Sequence, residues 1–235
     1  MTGYQTLVAV HGIAGTIALA TYWVAALARK GSPLHRGAGK VFFLAMIGIV
    51  VTAALMVPAF VERGMHGIAV FLAYLVVLVV GGLWLGWFAI RRKQDQAAFR
   101  GRTYRFLTVA ILACSAVVLG VGLSMDHALL IGFSSVGFLS GGQALWRWLR
   151  PMDARNWWLQ EHYGAMVGLG AATHIAFLGI GLNRLVEAAG WAMPPQFQLV
   201  GWFAPVAVAV VAGIVLDRRY KPKPVKPSLR TAPAR

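Results

Sequence analysis

Six histidines are the residues of this chain best suited to chemistry: His11, His35, His66, His127, His162 and His174. His162 and His174 lie in the stretch 161–183, EHYGAMVGLGAATHIAFLGIGLN, an apolar run long enough to span a bilayer. Gly164, Gly168 and Gly170 stand between them and remove side-chain bulk, as expected of a central helix that neighbours approach closely. His11 lies about six residues, or ~9 Å, into the first apolar run. An ionisable group at such depth is a functional hypothesis by default. Neutral imidazole is a common ligand of both haem iron and transition-metal ions. One expected site joins His11 and His174 towards one end, with His66 or His127 assisting, and a second joins His35 and His162 at the other. Two such sites would make a transmembrane electron carrier holding haem b or a metal ion. The twelve-residue spacing turns His174 about 120° from His162, so the pair does not form a ladder on one helix face. On the first run, His11, Gly15, Ala18 and Tyr22 share a narrow face suited to packing.

His35-Arg36 sits between two apolar runs, after Pro33 and before Gly37 and Gly39. The glycines suggest a close backbone approach, and Arg36 suits an anionic headgroup or an acidic partner such as Glu161. No catalytic residue stands out. There is no Walker loop, no His-Glu-x-x-His and no lysine in the last apolar run, which excludes a retinal Schiff base in the usual place. All seven acids lie at segment ends or in loops, which disfavours a cation-coupled transporter. The single cysteine, Cys114, rules out an internal disulfide and a Cys-x-x-Cys-His haem attachment. Two other readings stay open: a permease or lipid- or small-molecule-binding protein with a polar cavity lined by histidines, Ser134 and Gln143, and a non-catalytic subunit of a membrane complex or homo-oligomer.

The elements that must position these groups are membrane helices. Of 235 residues, 59% are hydrophobic and 12% charged, about half the charge of a soluble domain. Mean hydropathy is +0.68. The apolar runs are continuous rather than alternating, which makes an outer-membrane barrel a poor alternative. The expected fold is an all-α, polytopic transmembrane bundle of seven helices over 6–28, 41–61, 66–90, 106–124, 127–146, 161–183 and 199–216. The first run has no basic stretch before it and is too long for a signal peptide, so it counts as a mature helix. Residues 1–216 form the transmembrane domain. Residues 217–235 form a basic, proline-rich tail expected to be extended and disordered. Of the 22 lysines and arginines, 20 fall in the loops after the first, third and fifth runs and in the tail, against Arg63 and Arg184 on the other side. The positive-inside rule then places the N-terminus outside and the C-terminus in the cytoplasm. The same placement explains the net charge of +15 without nucleic acid; the expected partner is the lipid bilayer. Trp146, Trp148, Trp157, Trp158, Trp191 and Trp202 fall near segment ends, as an aromatic belt requires.

Several motifs together resemble a bacterial family of multi-pass membrane proteins known only as a domain of unknown function. They are His11 with Gly12 and Gly15, the run Lys30 to Leu34-His35-Arg36 and Gly39, His162-Tyr163-Gly164-Ala165-Met166, and the closing Arg218-Arg219-Tyr220. The resemblance implies a small helical protein of the bacterial cytoplasmic membrane, with His11, His35 and His162 as the family-like histidines. It implies no mechanism, and a less polar residue is expected at the position of His174.

Overall fold

A computed structural model describes residues 3–150 and 155–220. Among these residues the chain is helical throughout, with no strand. The elements are α1 (Gly3–Leu27), α2 (Pro33–Glu62), α3 (His66–Arg91), α4 (Gln96–Phe99), α5 (Arg102–Ser124), α6 (Ala128–Leu149) and α7 (Trp157–Ala176). A π-helical turn (Phe177–Gly181), α8 (Leu182–Ala188) and α9 (Pro195–Arg219) complete the chain. Seven spans are long and apolar enough to cross a membrane, with α7, the π turn and α8 forming one of them. Helices are the natural solution, because a bilayer offers no partner for a backbone N–H or C=O.

Several helices are longer than their apolar cores. α2 begins at Pro33 rather than 41, so His35 and Arg36 occupy its first turn, not a loop. Ser32 caps it by accepting from the His35 N–H (3.2 Å), and proline at the first helical position forfeits no hydrogen bond. Gly37 and Gly39 therefore lie inside a helix, and a Cβ on either would meet nothing within 4 Å, so neither serves a close approach. α5, α7 and α9 also begin about four residues before their apolar runs. Residues 217–219 belong to α9 rather than to the tail, and 221–235 lie outside the described residues.

The bundle has two centres. α3 packs against α2, α5 and α7, while α7 packs against α1, α3 and α9. α5 pairs with α6, and α1 rests on α2. The stretch expected to be central thus shares that place with α3. Of its glycines Gly170 is pressed against the Tyr22 ring of α1 and Gly179 against Trp202 of α9, while Gly164 and Gly168 face open space. On α1, Ala18 is buried and Tyr22 packs edgewise on Phe42, while Gly15 faces open space. Trp157 and Trp202 leave the aromatic belt. Trp157 is buried beside Phe99 and Tyr104, and Trp202 packs on Phe71 and Phe133.

Three connections, α1–α2, α3–α5 and α6–α7, meet at one end together with the close of α9, and they carry most of the cations. This is called the basic end below. The short α4 seals it: Asp95 accepts from the Ala98 N–H (2.8 Å), and Phe99, fully buried, sits among Trp84, Tyr104 and Trp157.

Candidate functional site at the basic end

Hydrogen bonding decides which imidazole nitrogens are available. On α1, His11 Nδ1 lies 2.9 Å from Thr52 Oγ1, and the Thr52 hydroxyl donates to the Gly48 carbonyl at 2.7 Å. Because the threonine proton is committed, His11 donates through Nδ1–H and keeps a lone pair on Nε2. His174 differs. Its Nδ1 donates to the Gly170 carbonyl (2.7 Å), and its Nε2 accepts from the Trp23 indole N–H (3.0 Å). Both nitrogens are used, and Tyr22 and Trp23 meet the ring edgewise. His174 is a packed structural imidazole with no lone pair to offer. The structure does not bring His11 and His174 together. Trp23, the partner of His174, is twelve residues or ~18 Å along α1 from His11. His66 opens α3 and His127 caps α6; both are exposed.

His35 and His162 behave alike. His35 Nδ1–H donates to the Ala25 carbonyl in the last turn of α1 (2.9 Å). His162 Nδ1–H donates to the Gly86 carbonyl of α3 (2.9 Å). A carbonyl can only accept, so both rings carry the proton on Nδ1 and hold a lone pair on Nε2. This is how ligating histidines are oriented from behind. Neither Nε2 is sealed in the interior. His35 and Lys30 lie within electrostatic reach of His162. Lys30 donates to the carbonyls of Ala26 and Ala25 (3.2 Å to the latter), closing the C-terminus of α1. Burial lowers its ammonium below the ordinary lysine value. Arg36 projects, exposed, from the first turn of α2.

The partner of Glu161 is not Arg36. Glu161 is buried, and its Oε2 takes a 2.8 Å ion pair from Arg147 Nη1 at the end of α6. Beside it, Arg100 follows α4 with Nη1 donating to the Arg150 carbonyl (2.8 Å). Burial lowers the Arg100 guanidinium from its ordinary value, Tyr104 and Glu161 raise it, and Arg147 lowers it. Tyr104 donates to the Ala144 carbonyl (2.9 Å). Sequence reasoning missed this cluster. Its signal was slight: one acid at the start of an apolar run and one arginine just past the end of the preceding run.

The polar groups expected to line a cavity do not converge on one. Ser134, Ser135 and Ser140 donate to carbonyls of their own helix, those of Ile131, Gly132 and Gly137, and Gln143 is exposed. A surface groove of about 420 Å³ between α1 and α2 is lined by apolar residues, among them Val10, Ile13, Leu44 and Gly48, and by no histidine. Among the described residues no three His, Cys, Asp or Glu side chains gather in a way that could hold a metal ion. Comparison with known proteins gives no matching family model, no matching curated sequence and no matching solved structure.

Proposed function

We propose that this chain is a multi-pass protein of the bacterial inner membrane that binds haem b at its basic, cytoplasmic end through His35 and His162 and carries electrons there. One observation carries the reading. Two imidazoles on neighbouring helices are each fixed by a backbone carbonyl at Nδ1, and each keeps an unengaged Nε2. The donor set favours haem over a bare metal ion. Haem brings four nitrogens of its own and asks the protein for one or two axial imidazoles, whereas a protein-held ion asks for three or more side chains. The surroundings provide aromatic cover, with Phe43 against Trp87 and the aromatic cluster under α4 on the same end. Arg36, exposed beside His35, is the group that contacts a lipid phosphate or a haem propionate.

The test is a visible spectrum of protein purified from haem-replete cells, before and after dithionite. A Soret band that shifts on reduction is expected, and it should be lost in His162→Ala and in His35→Ala. His174→Ala, whose ring has no free nitrogen, should keep it. A colourless, well-folded protein overturns the proposal. It would leave His35 and His162 as tethers that tie α2 to α1 and α7 to α3.

A further inference from the structure

Gln143 is the polar residue of α6 that the bundle leaves unused. α6 has 22 residues, or ~33 Å, against a hydrocarbon core of ~30 Å. Gln143 stands six residues, or ~9 Å, before its last residue, Leu149, and so lies within that core. The side chain is exposed and has no hydrogen-bond partner among the described residues. The Cα–Cβ bonds of a helix tilt towards its N-terminus. Because α6 runs towards the basic end, the amide is carried deeper into the bilayer and away from the headgroups that could solvate it. An amide left unbonded in hydrocarbon is costly, and glutamine in membrane helices characteristically bonds across to another helix.

The rest of that face agrees. Ser135, Leu139, Gly142 and Trp146 follow at spacings of four, three and four, which keeps them within about 60° of one another, with Gln143 at the edge. Ser135, Leu139 and Trp146 are exposed, and a Cβ on Gly142 would meet nothing within 4 Å. The packed side of α6 is the opposite one, where Gly137 meets Tyr74 and Ser115 and Gly141 meets Leu112. An acyl chain can cover the exposed face but cannot bond an amide. A second copy of the chain can do both. Copies inserted in one orientation are related by a twofold axis along the membrane normal, so each seam residue meets its own counterpart at the same depth. An amide carries both donor and acceptor, so two such side chains bond reciprocally. A seven-residue repeat suits a left-handed crossing near 20°, and a glycine on the seam lets the backbones approach.

We propose that this face of α6 is the contact surface of a homodimer, with Gln143 bonded to its counterpart in the second copy and Gly142 at the closest approach. The surface does not depend on the haem reading and would stand if the protein proved colourless. Energy transfer between separately labelled copies of the full chain in liposomes, followed as lipid is added, measures the association. Dimers that dissociate on dilution are expected. Gln143→Leu should weaken the association about tenfold, and Gly142→Ile should weaken it further. Both residues face lipid in a single copy, so the unfolding midpoint of the dispersed chain should not fall in either variant. Leu139→Cys in a Cys114→Ser background should cross-link to its counterpart under mild oxidation, whereas Ile47→Cys, exposed on α2, should not. A chain that stays monomeric at every lipid ratio overturns the proposal. So does an association that survives both variants without a Leu139→Cys cross-link, which would place the contact on another helix. A dimer lost in Gly142→Ile but unchanged in Gln143→Leu overturns the role of the amide.

Discussion

Replacing Arg147 with methionine is expected to destabilise the protein by about 3–5 kcal/mol. The ion pair it makes with Glu161 is 2.8 Å long, and the two side chains are only 11% and 4% exposed. Forming such a pair brings little net stability, because both ions lose their water. Breaking it is costly, because the carboxylate stays buried and Oε1 has no donor to share the load. Arg100, within electrostatic reach, can offset part of the loss and sets the lower end of the range. The double variant Arg147→Met with Glu161→Leu removes both charges and keeps apolar volume, so it should recover most of the loss. Unfolding followed by denaturant titration in detergent measures both. A double variant as unstable as the single one would mean that the arginine stem, not the charge, matters at this position.

The second large effect belongs to Gly137 on α6. A Cβ there would fall on the Ser115 hydroxyl and the Tyr74 phenol, both fully or almost fully buried. Tyr74 is the polar hub of α3, α5 and α6. Its hydroxyl donates to the Phe133 carbonyl (3.0 Å) and accepts from the Gly137 N–H (2.9 Å), with Ser115 beside it at 3.4 Å. Gly137→Ala therefore overpacks a core and disrupts buried hydrogen bonds together, at a cost of about 3 kcal/mol or more. Gly164→Ala and Gly168→Ala on α7 face open space and should be neutral or slightly stabilising, since alanine is the better helix former. The three midpoints measured side by side check the contrast. A neutral Gly137→Ala would mean that α6 is not pressed against α3.

The helices were legible because each bilayer-length run is continuous and the loops alternate sharply in charge. Their ends were less legible. An apolar window closes at the first cation, yet α2 and α5 continue through Arg36 and Arg102, because caps and backbone hydrogen bonding, not hydropathy, terminate a helix. The histidines were found by type alone, and type does not say which nitrogen is occupied. By residue type alone His174 stood beside His162 as a candidate ligand, and it was Trp23, 151 residues away in sequence, that filled its second nitrogen. The Arg147–Glu161 ion pair was hidden for the same reason. Arg147 and Glu161 read as ordinary helix-end residues, and only the tertiary structure pairs them and takes them out of water.

The sequence by itself thus determined that the chain is a seven-span helical bundle with a basic end, because span length and loop charge are local properties of the chain. Tertiary structure alone decided which polar groups have partners. A hydrogen bond depends on where a second helix places its carbonyl or indole, and no spacing along one helix encodes that. It made His174 a structural ring, left His35 and His162 with free lone pairs, and buried Glu161 against Arg147.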